Sequence, residues 1–445
     1  MIQALRNAFV LPDLRRKILF TLLILVIYRA ASHVPVPGVD RAQLEAVLGG
    51  ETAGASIAGI LNLLSGGGLS NFSLLAMGVY PYITASLILQ LLTGVVPALQ
   101  RLQQEEGSEG RRKLEQYTFL LTIPMALLQA IGQIQLFSTG QPLIPGWGSD
   151  AQLTITVLVS MVAGTTFAIW LSNLITEQGI GQGMSIIIFG GIVSRLPANI
   201  ASLLSDPQGA LQSLIAFIVV LVAVIFVIVI FQEGQRRIPV QYGKRVRGRK
   251  VYGGGATYIP LRVNMAGMIP LIFAQSILTL PAILANLFST SPNTSVALFF
   301  QSISQIFSGA TGHPAAWIYW LIYFLLVVGF TFFYTTVIMQ QQNLADSLQK
   351  QGGFVPGIRP GKRTEEYMSS VTSRITLVGA LFLGGVAILP YLLSGITLNA
   401  IPLIPNATNF SILSTGLLIV VGVVLDTMRQ LEAQLLMRHY EGFIK

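Results

Sequence analysis

Side chains that could catalyse a reaction or bind a metal ion are few in this sequence and lie far apart. Cysteine is absent, which excludes disulfides and thiolate ligands. His33, His313 and His439 lie in separate segments and predict no histidine metal site. Glu233 and Asp426 lie at the ends of apolar stretches, whereas ion- and proton-coupled carriers usually need ionisable groups within them. With no nucleophile–base pair in view, the sequence predicts a protein that is not an enzyme and needs no cofactor.

Two glycine-rich stretches remain as candidate sites. Residues 176–183 read TEQGIGQG, but no Lys-Ser/Thr follows and no strand precedes them, so we reject nucleotide binding. The other stretch has a short apolar segment at 57–64, then GGG at 66–68 and an apolar helix at 74–92. About two helical turns cannot cross a bilayer core of about 30 Å. The pattern is therefore that of a broken half-helix buried in protein, or of a re-entrant segment without a special role.

Composition predicts an integral membrane protein. Of 445 residues, 53% are hydrophobic and 10% charged, and the mean hydropathy is +0.69. Soluble domains carry about 25% charged residues. The apolar runs lack the alternating pattern of a membrane β-barrel, so the spans are helical. Ten spans are predicted, at residues 18–33, 74–92, 117–137, 153–174, 184–204, 211–231, 265–288, 315–339, 375–393 and 411–427.

Lysine and arginine are concentrated in alternate loops. The loops at 139–150, 206–210, 289–314 and 394–409 contain neither residue, while the loops between them are basic. The positive-inside rule therefore places both termini in the cytoplasm, although the loop at 172–183 carries only a glutamate. The first apolar run resembles a signal peptide at Ala30-Ala31-Ser32, but its length and the later spans favour a first transmembrane helix.

Two cytoplasmic loops, at 233–262 and 340–370, exceed what orientation requires. The first contains RRIPVQYGKRVRGRKVYGGGATYIPLR, with eight basic and no acidic residues. Extended-prone stretches at 238–242 and 251–252 flank a basic tip and predict a protruding hairpin. Charge alone leaves its partner open among anionic lipid, RNA and an acidic protein surface. In the second loop, proline and glycine around Arg359 indicate either a fixed presentation of that side chain or a plain surface turn.

Several long, collinear stretches resemble the SecY/Sec61-alpha family of protein-conducting channels, of which SecY is the bacterial branch. They are the segment at 60–92, EEGSEGRRKLEQYT, ITEQGIGQGMSIIIFGGIV, GQRRIPVQYGKR, VNMAGMIPLIFAQSIL, GGFVPGIRPGKRTEEY and GLLIVVGVVLDT. The resemblance implies an all-α integral membrane protein with ten transmembrane helices. They would form two inverted pseudo-symmetric five-helix halves around a central pore, residues 1–205 and 206–428, before a cytoplasmic tail at 429–445.

The resemblance also implies site residues. Its constriction ring would be Val79, Ile83, Ile188, Ile192, Ile272 and Ile419, with valine where the family usually has isoleucine. On spacing alone, core packing is the default interpretation of Val79 and Ile83, and a pore lining is the more specific one. The plug at 56–68 would include Ser56, Ile57, Ile60, Leu61, Leu64 and a hinge of Gly66, Gly67 and Gly68. The lateral gate would be lined by Thr84, Leu87, Gln90, Gln275 and Leu280. The SecA- or ribosome-binding residues would be Arg236, Arg237, Lys244, Arg245, Arg249, Lys250 and Arg359.

The function that this resemblance implies is passive protein conduction in the bacterial cytoplasmic membrane. Unfolded secretory polypeptides would cross, and the helices of membrane proteins would leave sideways into membrane lipids. SecE and SecG would be the small membrane partners, and the SecA motor or the ribosome would supply the energy. The alternative is an inverted-repeat secondary transporter of a small solute, which predicts buried ionisable groups and short loops. Neither feature is present in this sequence.

Overall fold

A computed structural model describes most of the chain and divides it into two compact units. Unit 1 comprises Met1–Ile218, Gln275–Trp320 and Pro390–Lys445, and unit 2 comprises Val219–Ala274 and Leu321–Leu389. The predicted halves, 1–205 and 206–428, remain a prediction. The described residues are 11–49, 62, 65–104, 107–138, 142–204, 210–242, 245–247, 250–252, 256–288, 294–307, 316–342, 344–394, 397–398, 401–402 and 407–441.

The fold is helical, and each of the predicted spans falls on a helix. The helices are α1 Pro12–Ala31, α2 Arg41–Gly49, α3 Tyr80–Val95, α4 Pro97–Gln104, α5 Gly107–Phe137, α6 Ala151–Gln178, α7 Gly183–Leu204, α8 Ala210–Glu233, α9 Ile269–Phe288, α10 Thr294–Phe307, α11 Ala316–Gln342, α12 Leu344–Lys350, α13 Lys362–Ser394 and α14 Ala407–Glu441. Within the described residues, four stretches are long and apolar enough to cross a membrane: Arg112–Phe137, Ala151–Gln178, Trp317–Lys350 and Lys362–Leu389. The full count of ten crossings remains a prediction.

The second predicted span begins later than we expected. A helix at 74–92 would place Pro81 within the span, where a proline usually causes a kink. In the structure the helix starts at Tyr80, and Pro81 occupies its first turn. A proline is tolerated there because the first amides of a helix have no intrahelical partner. Residues 65–79 instead form turns and a short 3₁₀ helix, Gly68–Asn71. Pro81 therefore marks the start of α3 and does not kink it.

Unit 1 is a set of helices in sequential contact. Helix α5 packs against α3, α4 and α6, while α7 packs against α1, α6 and α14. Helix α6 begins at an aspartate cap, since Asp150 accepts hydrogen bonds from the amides of Gln152 and Leu153. Further along α6, a Cβ on Gly164 would lie 1.8 Å from the Leu74 carbonyl oxygen. This glycine therefore lets the 65–79 segment lie directly on α6.

The glycine cluster at 179–183 is a tight turn between α6 and α7. The amide of Ile180 donates to Thr21 Oγ1 at 3.1 Å, and the amide of Gly183 donates to Thr176 Oγ1 at 2.9 Å. A Cβ on Gly183 would lie 1.8 Å from the Ser172 carbonyl oxygen. These amides bond within the fold, which agrees with the rejection of a phosphate-binding loop.

In unit 2 a small antiparallel sheet follows α8. Strand β1, Gln235–Tyr242, lies between β4, Ala256–Arg262, and β5, Gly353–Phe354. A separate ladder joins β2, Arg245–Arg247, to β3, Lys250–Tyr252, while β6, Thr397–Leu398, pairs with β7, Ile401–Pro402, in unit 1. The inner face of the sheet packs in a hydrophobic cluster of Ile238, Val240, Leu261, Leu348, Val355 and Met368.

Candidate functional site

The residues of the predicted ring are all buried. Their exposed fractions are 0% for Val79, 7% for Ile83, 1% for Ile188, 8% for Ile192, 8% for Ile272 and 3% for Ile419. Val79 caps α3, and the amide of Ile83 donates to its carbonyl at 3.2 Å, so both lie on one face of the first turn. Ile188 and Ile192 lie one turn apart on α7, which packs against α14, the helix that carries Ile419. These five residues belong to unit 1.

Ile272 lies in unit 2, so its place in the ring depends on the sequence match alone. Every member of the set is an aliphatic side chain. Such side chains offer no hydrogen bond to water, to an ion or to a peptide group. If they converge, they form an apolar constriction.

The predicted gate is bridged by a hydrogen-bonded tyrosine. Tyr80 of α3 is 1% exposed, and its hydroxyl donates to the carbonyl of Ser276 on α9 at 3.2 Å. The same hydroxyl bonds to Thr279 Oγ1. The part of α9 from Gln275 onward belongs to unit 1, as does all of α3. The helices on the two sides of the predicted gate are therefore joined in this structure.

Helix α5 also contacts both gate helices. Gln129 Nε2 donates to Thr84 Oγ1 at 3.0 Å, which joins α5 to α3. A Cβ on Gly132 would lie 2.1 Å from Ile283 Cγ2, which places α5 in close contact with α9. Gln129 Oε1 is buried and has no hydrogen-bond partner among the described residues. The packing of α3, α5 and α9 therefore buries the Gln129 amide oxygen without a partner, which limits the stability of this arrangement.

Among the five predicted gate residues, Thr84 and Leu87 are buried, whereas Gln90, Gln275 and Leu280 are half-buried. Thr84 Oγ1 accepts the hydrogen bond from Gln129 Nε2 described above. Tyr80, Gln129 and Thr279 were not among the predicted gate residues. The sequence signal that could have identified these three residues is a polar side chain within an otherwise apolar helix.

Most of the predicted plug lies outside the described residues, namely Ser56, Ile57, Ile60, Leu61 and Leu64. Its three glycines are described and buried. Gly66 and Gly67 have φ angles of +65° and +91°, which favour glycine. A Cβ on Gly68 would lie 2.3 Å from the Leu75 carbonyl oxygen. The glycines therefore permit a left-handed backbone and close packing.

The predicted basic hairpin is present, with a different pairing at its base. Strand β1 pairs with β4 in a register that sets Ile238 opposite Ile259, whereas residues 251–252 pair with β2. Arg236 and Arg237 are exposed on β1. Lys244 and Arg249 lie outside the described residues, and for Arg245 and Lys250 only the strand backbone is described.

Arg359 is exposed on a turn with fixed geometry. Gly357 and Gly361 flank it with φ angles of +82° and +101°. Thr364 Oγ1 donates to the Arg359 carbonyl at 3.1 Å, and the amide of Thr364 donates to the Gly361 carbonyl at 2.9 Å. Val355, near the start of the turn, is buried in the cluster beneath the sheet. These contacts define the backbone of the turn, and the binding role of Arg359 stays a prediction.

Comparison with known proteins identifies the family. The SecY family model matches residues 73–428. A protein translocase subunit SecY of Streptomyces scabiei is 41% identical over 467 aligned positions, which cover 100% of both chains. The structure of a protein-conducting channel matches with a TM-score of 0.60 at 18% identity, covering 94% of this chain and 91% of that one. Canine Sec61 in a ribosome–channel complex matches with a TM-score of 0.58 at 18% identity and the same coverage, so both structures share the fold. This chain belongs to the SecY family.

Proposed function

We propose that this chain is the channel-forming subunit of a bacterial protein translocase. It conducts unfolded secretory polypeptides across the cytoplasmic membrane and releases the helices of membrane proteins sideways into lipid. The observation that carries the proposal is the full-length match to a translocase subunit, combined with buried aliphatic side chains at every ring position. The solute-transporter alternative has no support from the relatives.

The ring blocks ions in the resting channel, and polypeptides pass through it during translocation. An apolar constriction a few ångströms wide excludes water and therefore blocks ions. Val79, Ile83, Ile188, Ile192, Ile272 and Ile419 supply only methyl and methylene groups. Their side chains part for an extended polypeptide without forming hydrogen bonds that would retain it. The plug at 56–68 closes the outer side in the absence of a substrate.

The gate is the lateral exit. It opens when α3 and α9 separate, which requires the bonds from Tyr80 to Ser276 and Thr279 to break. A signal sequence or a membrane helix replaces these contacts as it moves into the lipid. The unsatisfied amide oxygen of Gln129 on α5, close to Thr84, lowers the cost of opening because it reduces the stability of the joined arrangement.

The basic surface of unit 2 binds the partner that drives translocation, either the SecA motor or the ribosome. Arg236, Arg237 and Arg359 are exposed on the sheet and on the fixed turn beside it. We assign them, with Lys244, Arg245, Arg249 and Lys250, to alternating contacts with the SecA motor and with ribosomal RNA. RNA phosphates and an acidic surface on the motor would both attract these side chains, so binding should weaken as salt rises. SecE and SecG complete the complex in the membrane, and both termini lie in the cytoplasm.

The test is reconstitution. We place the chain in lipid vesicles with SecE and SecG, then add SecA, ATP and a radiolabelled secretory precursor. The proposal predicts ATP-dependent protection of the precursor from added protease. Vesicles without the chain are the negative control, and a SecY complex from a relative is the positive control. If the positive control protects the precursor and this chain does not, the proposed function is wrong.

A further inference from the structure

A glycine–glycine crossing joins the 65–68 segment to helix α7. A Cβ on Gly191 would lie 2.2 Å from Gly66 Cα, so the two main chains touch directly. A Cβ on Gly66 would lie 3.3 Å from the Ile187 carbonyl oxygen, one turn earlier on α7. Ile188 and Ile192, the two ring residues of α7, are the direct neighbours of Ile187 and Gly191 in sequence. The segment therefore rests on the turn of α7 that carries the ring.

The same segment touches the other side of the ring. A Cβ on Gly78 would lie 2.6 Å from Ser65 Cα, and Gly78 has a φ angle of +51°. Gly78 immediately precedes Val79, the ring residue that caps α3. Residues 65 and 66 are thus wedged between the backbone beside Val79 and the ring-bearing turn of α7. All these residues belong to unit 1.

A tyrosine of α1 fixes this wedge. Tyr28 is 3% exposed, and its hydroxyl donates to the Ser65 carbonyl at 2.6 Å. Ser65 is itself only 1% exposed, so its carbonyl would be costly to leave without a donor. The Tyr28 ring also lies against Gly66, with Cε1 at 3.1 Å from the position of a Cβ there. Tyr28 therefore sets both the position and the hydrogen bonding of the wedge.

Local hydrogen bonds hold the residues on both sides of the wedge. The amide of Gly67 donates to the Asn62 carbonyl at 2.9 Å, and the amide of Ser70 donates to Asn62 Oδ1 at 3.2 Å. Ser73 Oγ donates to the Gly68 carbonyl at 2.9 Å. A segment that is bonded internally at three points transmits a displacement at Ser65 to its neighbours instead of absorbing it.

We propose that Tyr28 is a positioning residue for the constriction ring, acting through the main chain of Ser65 and Gly66. It holds the turn of α7 with Ile188 and Ile192, and the start of α3 with Val79, in the arrangement that seals the resting channel. Gly66 and Gly191 allow the main chain of the 65–68 segment to cross α7 in direct contact. The glycines at 66–68 then support the ring as a fixed element, whereas the sequence predicted a hinge there. The inference rests on the proposed function, because it assumes that the ring is the barrier.

The test measures the resting ion conductance of purified channel complexes in planar bilayers. Tyr28→Phe keeps the ring and removes the hydroxyl, so the seal loses one buried hydrogen bond. We expect the time-averaged resting conductance to rise at least about fivefold, since the loss of one net hydrogen bond changes an equilibrium by about that factor and the buried Ser65 carbonyl is also left without its donor. Tyr117→Phe on α5 is the matched control, because Tyr117 is 45% exposed. It should leave the conductance unchanged.

A second variant separates positioning from general destabilisation. Gly384→Ala in unit 2 places a Cβ 2.6 Å from Phe324 Cε2, so it should lower the melting temperature. If the role of Tyr28 is positional, Gly384→Ala leaves the resting conductance at the wild-type value while Tyr28→Phe raises it. If both variants raise the conductance in proportion to their loss of melting temperature, Tyr28 is merely structural and the inference is wrong.

A third variant distinguishes failure of this inference from failure of the ring. Ile188→Asn should raise the resting conductance directly, because an amide at the constriction holds water. If Ile188→Asn opens the channel and Tyr28→Phe does not, the positioning role is refuted and the ring stands. If Ile188→Asn has no effect, the ring itself is refuted, and the inference falls with it. Tyr28→Phe and Gly191→Ala should also combine non-additively, because both act on the adjoining main chain of Ser65 and Gly66.

Discussion

Replacing Tyr80 by phenylalanine should make the lateral gate easier to open. The substitution removes the hydroxyl that joins α3 to Ser276 and Thr279 on α9, while the buried aromatic ring stays in place. Thr279 Oγ1 keeps a second hydrogen bond, to the Gln275 carbonyl at 3.1 Å. Since this partner is not orphaned, the loss is that of one net hydrogen bond, about 1 kcal/mol. The ratio of closed to open gates should therefore fall about fivefold.

The assay follows export of a precursor with a defective signal sequence into reconstituted vesicles. The wild-type channel should export it poorly, because a defective signal sequence does not open the gate. Tyr80→Phe should raise the initial rate about fivefold. Tyr82→Phe is the matched control, since Tyr82 lies two residues further along α3 and is half-buried. Equal rates for the two variants would show that the Tyr80 hydroxyl does not hold the gate, and the reasoning would be refuted.

Three further changes test the ring, the basic surface and the packing of unit 1. Ile83→Asn should raise the export of signal-defective precursors and the ion leak of vesicles, because it places an amide in the constriction; unchanged leak would argue against the ring. Arg359→Glu should slow SecA-driven translocation several-fold in ATP-dependent import assays, whereas Arg359→Lys should retain most of the rate; normal coupling of the glutamate variant would contradict the assigned contact. Gly164→Ala should cost about 1–3 kcal/mol, because a Cβ would lie 1.8 Å from the Leu74 carbonyl oxygen. Gly329→Ala, with nothing within 4 Å, should change stability by less than about 1 kcal/mol in detergent melting curves.

Local sequence patterns predicted most of the helices because apolar length is itself a local property. The start of α3 was wrong because hydropathy does not distinguish an apolar irregular segment from an apolar helix. Residues 74–79 are apolar, yet they form turns that pack on α6 through Gly164. Pro81 was the better signal, since a proline after a glycine-rich stretch often marks the first turn of a helix.

The contacts that define the gate and the wedge could not be predicted from local patterns. Tyr80 bonds to residues almost 200 positions away, at Ser276 and Thr279. The crossing of Gly66 with Gly191 likewise joins distant parts of the chain. A glycine triplet is compatible with a hinge and with a close crossing, and only the neighbouring backbone decides between them. The hairpin was foreseen from its charge and its extended-prone residues, but its register depends on the cluster that buries Ile238.

The most direct measurement of the central claim is a disulfide map of a polypeptide in transit. Since the chain has no cysteine, single cysteines can be placed at Ile83 and Ile272, with Leu325 as a control that is 58% exposed. A precursor with one cysteine is then stalled during SecA-driven translocation. The account predicts disulfides from the precursor to positions 83 and 272 and none to position 325. Stalled precursor without a disulfide to either ring position would mean that the polypeptide takes another path, and the proposed pore would be wrong.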